Sequence, residues 1–259
     1  MDAMVLAGGS PKPDDPLFPL LQGRPRALLE IAGRPMVQWV LDALSSSHRV
    51  ERVLVLGLDA SSGLSCRLPT TYMPDQGDVL VNIRAGLDAL RASGTKASHA
   101  LVVSSDVPAI TGDMLDWRAD RIMEAKADMD YAVIERSTME TRYPDSGRSF
   151  VRLQTGQVCG SDIHGLRLDM GGNMALWNKI ISARKSPLRM AALLGPSMLI
   201  RLLFRRLTLA RAAELGGRRL GISVGVHLCP YPEMGMDVDK PDQMEMLEQD
   251  LLSRRGSSA

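Results

Sequence analysis

Apolar runs alternate with amphipathic segments through the first half of the chain, and this alternation predicts a mostly parallel sheet covered by helices. Apolar runs of the length of buried strands end near Ala7 and cover residues 52–57, 100–104 and 131–135. Helical periodicity occurs between them, at residues 36–44, 78–90 and 114–127. The order of elements is therefore that of an α/β protein.

The second half of the chain is less regular. Residues 149–153 and 163–168 alternate like the two strands of a hairpin or extension, and helical periodicity returns at 173–182. A strand at 220–227 and a helix from about 241 to 252 follow. We expect this last strand and helix to return to the first sheet rather than to begin a second domain.

A basic segment at residues 184–219 is the most unusual part of the sequence. It holds nine Lys or Arg residues and one acid, Glu214, interleaved with Leu, Met and Phe. This composition predicts two or three amphipathic helices with basic faces. We expect one domain over residues 1–259, with an insertion at about 140–219 that includes these helices.

Composition narrows the class of protein. The 259 residues are 45% hydrophobic and 24% charged, as in ordinary globular proteins, and we expect neither a signal peptide nor a membrane span. A net charge of +1 gives no overall basic field, so we expect no nucleic-acid partner. Cys66, Cys159 and Cys229 include no CxxC spacing, which argues against a zinc cluster and favours a reducing, cytoplasmic environment.

The loop after the first strand carries the first candidate chemistry, because ligands of open α/β sheets bind beyond the carboxyl ends of the strands. Gly8 and Gly9 let an anion approach the backbone amides closely. The cations that follow in the sequence are Lys12, Arg24 and Arg26. The pattern is neither GxGxxG nor a P-loop. Phosphate binding and a tight turn with solvated charges both explain these residues.

Two further loops carry acids. In LVVSSDVP, Asp106 ends a buried strand, where it is placed to hold a divalent cation or to cap the following turn. In GMDVDKPDQMEMLEQDL, Asp237 and Asp239 alternate, so we expect only one of them to face a shared site. An acid at the start of a helix interacts favourably with the helix dipole. This structural role explains Asp242 well and Asp239 less well.

Four motifs follow one another along the chain: LAGG, RPRALLEIAGRPMVQWVLDAL, SSDVP and DVDKPDQ. In this order they resemble the nucleotidyltransferases of the molybdenum-cofactor guanylyltransferase-like superfamily, the MobA-like NTP transferases. The resemblance implies a glycosyltransferase-A-like α/β fold, a three-layer sandwich with a mostly parallel sheet and, here, a helical insertion. It also implies transfer of a nucleoside monophosphate from an NTP to a small phosphorylated acceptor, with release of pyrophosphate and Mg²⁺ as cofactor.

The resemblance also implies roles for particular residues. Asp106 looks like the metal aspartate, Asp239 like the second acid of the magnesium site, and Asp237 is the lesser candidate. The residues that it places at the nucleotide are Leu6, Ala7, Gly8, Gly9, Lys12, Arg26 and, by a looser match, Asn82.

Arg24 and Arg26 correspond to a basic signature in which the family often has an arginine followed by a lysine. The resemblance implies a catalytic role for both beside Asp106, with Arg26 stabilising the leaving pyrophosphate. Arginine at the expected lysine position is a departure, because the two side chains are not interchangeable in a tight site. The alternatives are a regulatory nucleotide-binding protein without turnover and a glycosyltransferase that uses a nucleotide-sugar.

Two features lie outside these motifs. In MGGNMALW, Gly172 and Asn173 form an acceptor-binding turn, or Asn173 simply caps a helix. The basic segment at 184–219 is a lid or a homodimer face, or it contacts an anionic membrane or a lipid-like acceptor. The sequence leaves these alternatives open.

Overall fold

The computed structural model describes residues 1–9, 12–184, 189, 192–193 and 195–256. Its strands are β1 (Asp2–Leu6), β2 (Glu30–Ile31), β3 (Arg34–Pro35), β4 (Arg52–Leu56), β5 (Thr70–Met73), β6 (His99–Ser104), β7 (Met129–Glu135), β8 (Val151–Leu153), β9 (Gly156–Gly160), β10 (Ile163–Arg167) and β11 (Val224–Leu228). Its helices are α1 (Phe18–Leu21), α2 (Met36–Ser46), α3 (Val79–Ala92), α4 (Gly112–Ala125), α5 (Arg136–Arg142), α6 (Met174–Arg184), α7 (Pro196–Leu203), α8 (Leu209–Leu220) and α9 (Pro241–Gly256).

A mixed sheet forms the centre of the molecule. Its strands lie in the order β5, β4, β1, β6, β10, β7, β9, β8, and β11 pairs with β7. The first four of these strands are parallel to one another, and β11 is parallel to β7. The antiparallel strand β10 lies between β6 and β7. The predicted α/β architecture is confirmed.

Of the two alternatives for residues 149–153 and 163–168, the hairpin is wrong, because the two segments do not pair with each other. Val151–Leu153 pairs with Gly156–Gly160, a strand that the sequence analysis missed. Ile163–Arg167 lies in the middle of the sheet instead, so the predicted insertion at about 140–219 contains a central strand. The alternation of apolar residues indicates that a segment is a strand, but it does not specify the partner strand.

Helices cover both faces of the sheet, and β1 shows how the two cores are filled. Successive residues of a strand point to opposite faces. Ala3 and Val5 pack in a core with α2, α4 and α9, and Met4 packs in a second core with α3 and α6. A third apolar cluster lies between β7, β9 and the helices α7 and α8. No helix among the described residues is long and apolar enough to cross a membrane.

A buried ion pair joins β7, β10 and α4. The side chains of Arg118 on α4 and Asp130 on β7 are both fully buried and form a salt bridge. Arg118 also donates from Nη2 to the Asp130 carbonyl at 2.8 Å and from Nε to the Ile163 carbonyl at 3.1 Å. Asp130 Oδ2 lies 3.0 Å from Nε2 of His227 on β11. The pair thus fixes the antiparallel strand β10 next to its neighbours.

We expect Asp130→Leu to lower the free energy of unfolding by about 3–5 kcal/mol, because it leaves the charge of Arg118 buried without a partner. The double variant Arg118→Met/Asp130→Leu removes both charges and is expected to lose less stability. Urea unfolding of the two variants and the wild type measures the difference. As a control, Glu124→Gln breaks the exposed pair with Arg121 and should cost no more than about 1 kcal/mol. A loss for Asp130→Leu no larger than for this control would contradict the assignment.

Candidate active site

A cleft of about 590 Å³ opens at the carboxyl ends of β1 and β6. This edge of a parallel sheet is where ligands of open α/β proteins bind. The residues that line the cleft are Leu6, Gly8, Gly9, Lys12, Asp14, Asp15, Pro16, Arg26, Ala27, Val79, Ser104, Ser105, Asp106, Asp239 and Lys240. Several predicted site residues therefore meet in one place.

The loop after β1 passes very close to the end of β4. Gly57 has a φ of +99°, and a Cβ at this residue would lie 2.1 Å from the Cα of Gly8. A Cβ at Gly8 would in turn lie 2.9 Å from the Asp75 carboxylate. Gly9 has a φ of +114°, a conformation that favours glycine. The local backbone therefore requires glycine at positions that the sequence analysis assigned to phosphate binding.

Asp75 begins the segment DQGDVLVN that ends at Asn82, but the sequence analysis gave this aspartate no role of its own. Its Oδ2 accepts the backbone N–H of Gly9 at 3.0 Å, and its Oδ1 accepts Nδ2 of Asn82 at 2.7 Å. The hydrogen bonds from Asn82 and from the backbone of Gly77 lower the pKa of Asp75. The amide of Gly9, expected to face a phosphate, is thus engaged with a carboxylate.

Asn82 is buried, and both ends of its side-chain amide are used within the protein. Besides donating to Asp75, it accepts the backbone N–H of Gln76 at 2.8 Å. Asn82 does not line the cleft, and it holds the loop before α3 against Gly8. Its predicted contact with a nucleotide stays a prediction.

Three carboxylates converge beside the glycine loop. Ligand oxygens of Asp106, Asp237 and Asp239 lie within 4.8 Å of one another. The backbone N–H of Val238 donates to the Asp106 carbonyl at 3.0 Å, which brings the segment before α9 to the end of β6. Asp239 lines the cleft and Asp237 does not, yet the carboxylates of both approach Asp106. Residues 236–239 are not a strand, so the alternation of a pleated strand does not apply to them.

The acids of this cluster are short of positive charge. Asp106 Oδ1 is buried without a hydrogen-bond partner. Burial raises the pKa of Asp106, although Ser104 and Arg26 act in the opposite direction. Burial also raises the pKa of Asp237 to about 6, against the effect of Arg148. Such a group of carboxylate oxygens fits a divalent cation of the hard, oxygen-binding type.

Arg148 and Asp162 lie next to the three acids, and the sequence analysis missed both. Arg148 forms a salt bridge with Asp237 and lies 3.4 Å from Asp162 Oδ2. Its Nη2 also donates to the Gly160 carbonyl at 3.3 Å. Burial and the negative charge of Asp106 and Asp237 raise the pKa of Asp162 well above its usual value. Asp162 follows β9, the strand that the sequence analysis missed, so no recognised carboxyl end of a strand pointed to it.

Arg26 is placed in the cleft, but it already has anionic partners. It forms a salt bridge with Asp239, donates to the Val238 carbonyl at 2.5 Å and lies 3.6 Å from Asp15. Burial lowers the pKa of Arg26, and the hydrogen bond with Asp239 and the charges of three aspartates raise it by more. Arg26 therefore links the glycine loop side of the cleft to the segment before α9.

The remaining cations are distributed differently from the prediction. Arg24 does not line the cleft and lies 3.6 Å from Glu30 in an exposed ion pair. Lys12 does line the cleft and is exposed. Lys240, which the sequence analysis did not single out, lines it too.

Gly172 and Asn173 lie far from the cleft along the sheet. They follow β10, whose last residue Arg167 is opposite His99, the first residue of β6, whereas Asp106 follows the last residue of β6. Asn173 Oδ1 accepts the backbone N–H of Leu176 at 3.1 Å and so caps α6. The acceptor-binding interpretation of Gly172 and Asn173 is not supported for this cleft, and helix capping accounts for Asn173.

Solved structures share this fold. A hypothetical transferase from Thermus thermophilus superposes with a TM-score of 0.79 at 28% identity, covering 94% of this chain and 100% of that chain. A CMP:2-keto-3-deoxy-manno-octonic acid synthetase complexed with CTP gives a TM-score of 0.58 at 15% identity, covering 98% of this chain and 99% of that chain. The 2-C-methyl-D-erythritol 4-phosphate cytidylyltransferase from Thermus thermophilus gives 0.53 at 14% identity, covering 97% and 98%. The fold is therefore the glycosyltransferase-A-like α/β fold expected from the sequence motifs.

The family follows from the sequence itself. Residues 3–218 match the MobA-like NTP transferase domain. The chain belongs to the MobA-like NTP transferase family, as the four motifs predicted. None of the curated proteins matches this sequence significantly.

Gly57→Ala tests the close approach of the two loops. We expect it to lower the free energy of unfolding by about 2 kcal/mol more than a control does, because the new Cβ would overlap the Gly8 backbone. Gly63→Ala is the matched control, since Gly63 has a φ of +70° and open space around its Cβ position. Urea unfolding measures both variants, and equal losses would show that backbone conformation alone requires glycine at position 57.

Proposed function

We propose that this protein is a magnesium-dependent nucleotidyltransferase that transfers a nucleoside monophosphate from an NTP to a small, phosphorylated acceptor and releases pyrophosphate. The observation that carries the proposal is the convergence of Asp106, Asp237 and Asp239 beside a cleft that Asp106, Asp239, Lys12 and Arg26 line. Membership of the MobA-like NTP transferase family supports it. So do the cytidylyltransferase and CTP-bound synthetase of similar fold.

The carboxylates are the proposed metal site. Asp106 and Asp239 would hold Mg²⁺, and Asp237 is close enough to contribute a third carboxylate. The unpartnered oxygen of Asp106 supports this assignment, because a buried anionic oxygen without a donor is costly unless it binds a cation. Bound magnesium would neutralise the charge that develops on the phosphate oxygens.

The protein's own groups would bind and orient the triphosphate. Lys12 and Lys240 line the cleft and are exposed, so both are available to phosphates. Arg26 would stabilise the leaving pyrophosphate, although it shares its charge with Asp239. Leu6, Gly8 and Gly9 would contact the nucleotide from the loop after β1.

The transfer itself needs no nucleophilic side chain. An oxygen of the acceptor phosphate would attack the α-phosphorus, and the bond from that phosphorus to the bridging oxygen of pyrophosphate would break. Phosphoryl-type transfers depend chiefly on positioning and on electrostatic stabilisation. A cleft with several carboxylates and cations, and with neither a cysteine nor a histidine among its lining residues, is consistent with this chemistry.

We expect one NTP to raise the melting temperature of the protein by several degrees in the presence of Mg²⁺, because saturating ligand at about 100 times its Kd contributes about 2.7 kcal/mol. Asp106→Asn should abolish the part of the shift that depends on magnesium. The measurement is thermal unfolding with ATP, CTP, GTP or UTP, with Mg²⁺ or with EDTA. Pyrophosphate release on addition of phosphorylated acceptors then tests turnover.

Asp113→Asn is the control, since Asp113 is an exposed aspartate at the start of α4 and should leave the shift unchanged. Nucleotide binding without turnover on any acceptor would favour the regulatory alternative. Stabilisation by a nucleotide-sugar with release of the nucleoside diphosphate would favour a glycosyltransferase. No magnesium-dependent shift with any nucleotide would overturn the proposed metal site.

A further inference from the structure

Helix α7 exposes a large apolar surface. Ile200, Leu203 and Phe204 are 55%, 77% and 66% exposed. Their spacing of three and four residues places them on one side of the helix and its last turn. Scattered single apolar residues are normal on a protein surface, whereas three large ones side by side are typical of an interaction site.

The opposite side of α7 holds the helix on the body of the protein. Met198 and Leu202 pack against a buried cluster that includes Val133 of β7 and Val158 of β9. The backbone N–H of Gln154 also donates to the Leu207 carbonyl at 3.0 Å, just after α7. The helix is therefore apolar on two sides, and one of them faces solvent.

Three exposed arginines border the apolar surface. Arg201, Arg205 and Arg206 form no ion pair with any residue that the structure describes. The acid of the segment, Glu214, is already paired with two other arginines, Arg211 and Arg218. The positive charge next to Ile200, Leu203 and Phe204 is therefore unbalanced within the described part of the chain.

The charge of the whole chain is divided unevenly. Its 31 basic and 30 acidic residues include nine basic residues and one acid within 184–219, which leaves 22 basic and 29 acidic residues elsewhere. The near-neutral total thus combines a basic segment with an acidic remainder. Such a division orients a protein in the field of a negatively charged surface.

We propose that the surface formed by Ile200, Leu203, Phe204, Arg201, Arg205 and Arg206 binds an anionic lipid bilayer. Apolar side chains would enter the boundary between headgroups and acyl chains while the arginines contact lipid phosphates. A second copy of the chain fits less well, because a twofold interface would place the same arginines against each other. Binding at this surface is independent of the nucleotide cleft and of the reaction proposed for it.

Flotation of the full chain with vesicles tests the proposal. We expect binding to vesicles of phosphatidylcholine with about 30% phosphatidylglycerol, no binding to pure phosphatidylcholine, and release as salt shortens the Debye length to about 3 Å near 1 M. Ile200→Ser/Leu203→Ser/Phe204→Ser should weaken binding by at least about tenfold. Arg201→Gln/Arg205→Gln/Arg206→Gln should weaken it by about fivefold for each arginine.

Matched controls remove exposed residues elsewhere. Met123→Ser/Leu252→Ser replaces two apolar residues that are 44% and 51% exposed, and Arg67→Gln/Lys96→Gln removes two exposed positive charges. The melting temperature and the nucleotide-induced shift of each variant are also measured. Failure of the proposed reaction is thereby distinguished from failure of vesicle binding. The proposal is overturned by absence of binding to anionic vesicles at low salt, or by equal effects of the test and control variants. It is also overturned if the wild type dimerises through this surface and does not float, while the triple serine variant is monomeric and floats.

Discussion

Crowding of negative charge at the carboxyl end of β6 is the constraint around which the site is built. Asp106, Asp162, Asp237 and Asp239 come from three separate parts of the chain, and burial together with their mutual repulsion raises the pKa of the first three. Like charges so close together are costly unless cations lie between them. Arg148 and Arg26 supply two such cations, and the unpartnered oxygen of Asp106 shows that the compensation is incomplete.

The antiparallel strand β10 positions Asp162 within this cluster. Asp162 immediately precedes β10, and its carbonyl accepts the backbone N–H of Ser104, two residues before Asp106. Arg118 holds the next residue, Ile163, by its carbonyl while pairing with Asp130 on β7. A buried ion pair of this kind contributes less to net stability than to the choice of one arrangement, here the position of β10 between β6 and β7.

Apolar periodicity predicted β1, β4 and β6 of the parallel half of the sheet but not β5, and the motifs singled out Asp106 and Asp239. Asp106 and Asp239 could be found because each lies next to a recognisable strand or helix boundary. Asp75, Arg148 and Asp162 could not, because their roles in the site depend on partners between 14 and 89 residues away, and no local pattern specifies those partners. The same reason explains why β10 was given the wrong neighbour. Residues 185–188, 190–191 and 194 of the predicted basic helices lie outside the described residues.

The cleft and the exposed surface of α7 carry charges of opposite sign. The proposed site carries an excess of carboxylates, and this excess would favour binding of the metal before or with the nucleotide. Nine of the basic residues that keep the total charge near zero lie within 184–219, and none of those that the structure describes lines the cleft. Had those arginines surrounded the cleft, they would have neutralised the acids that are proposed to hold the metal. Their separation allows each region to keep a field of its own sign.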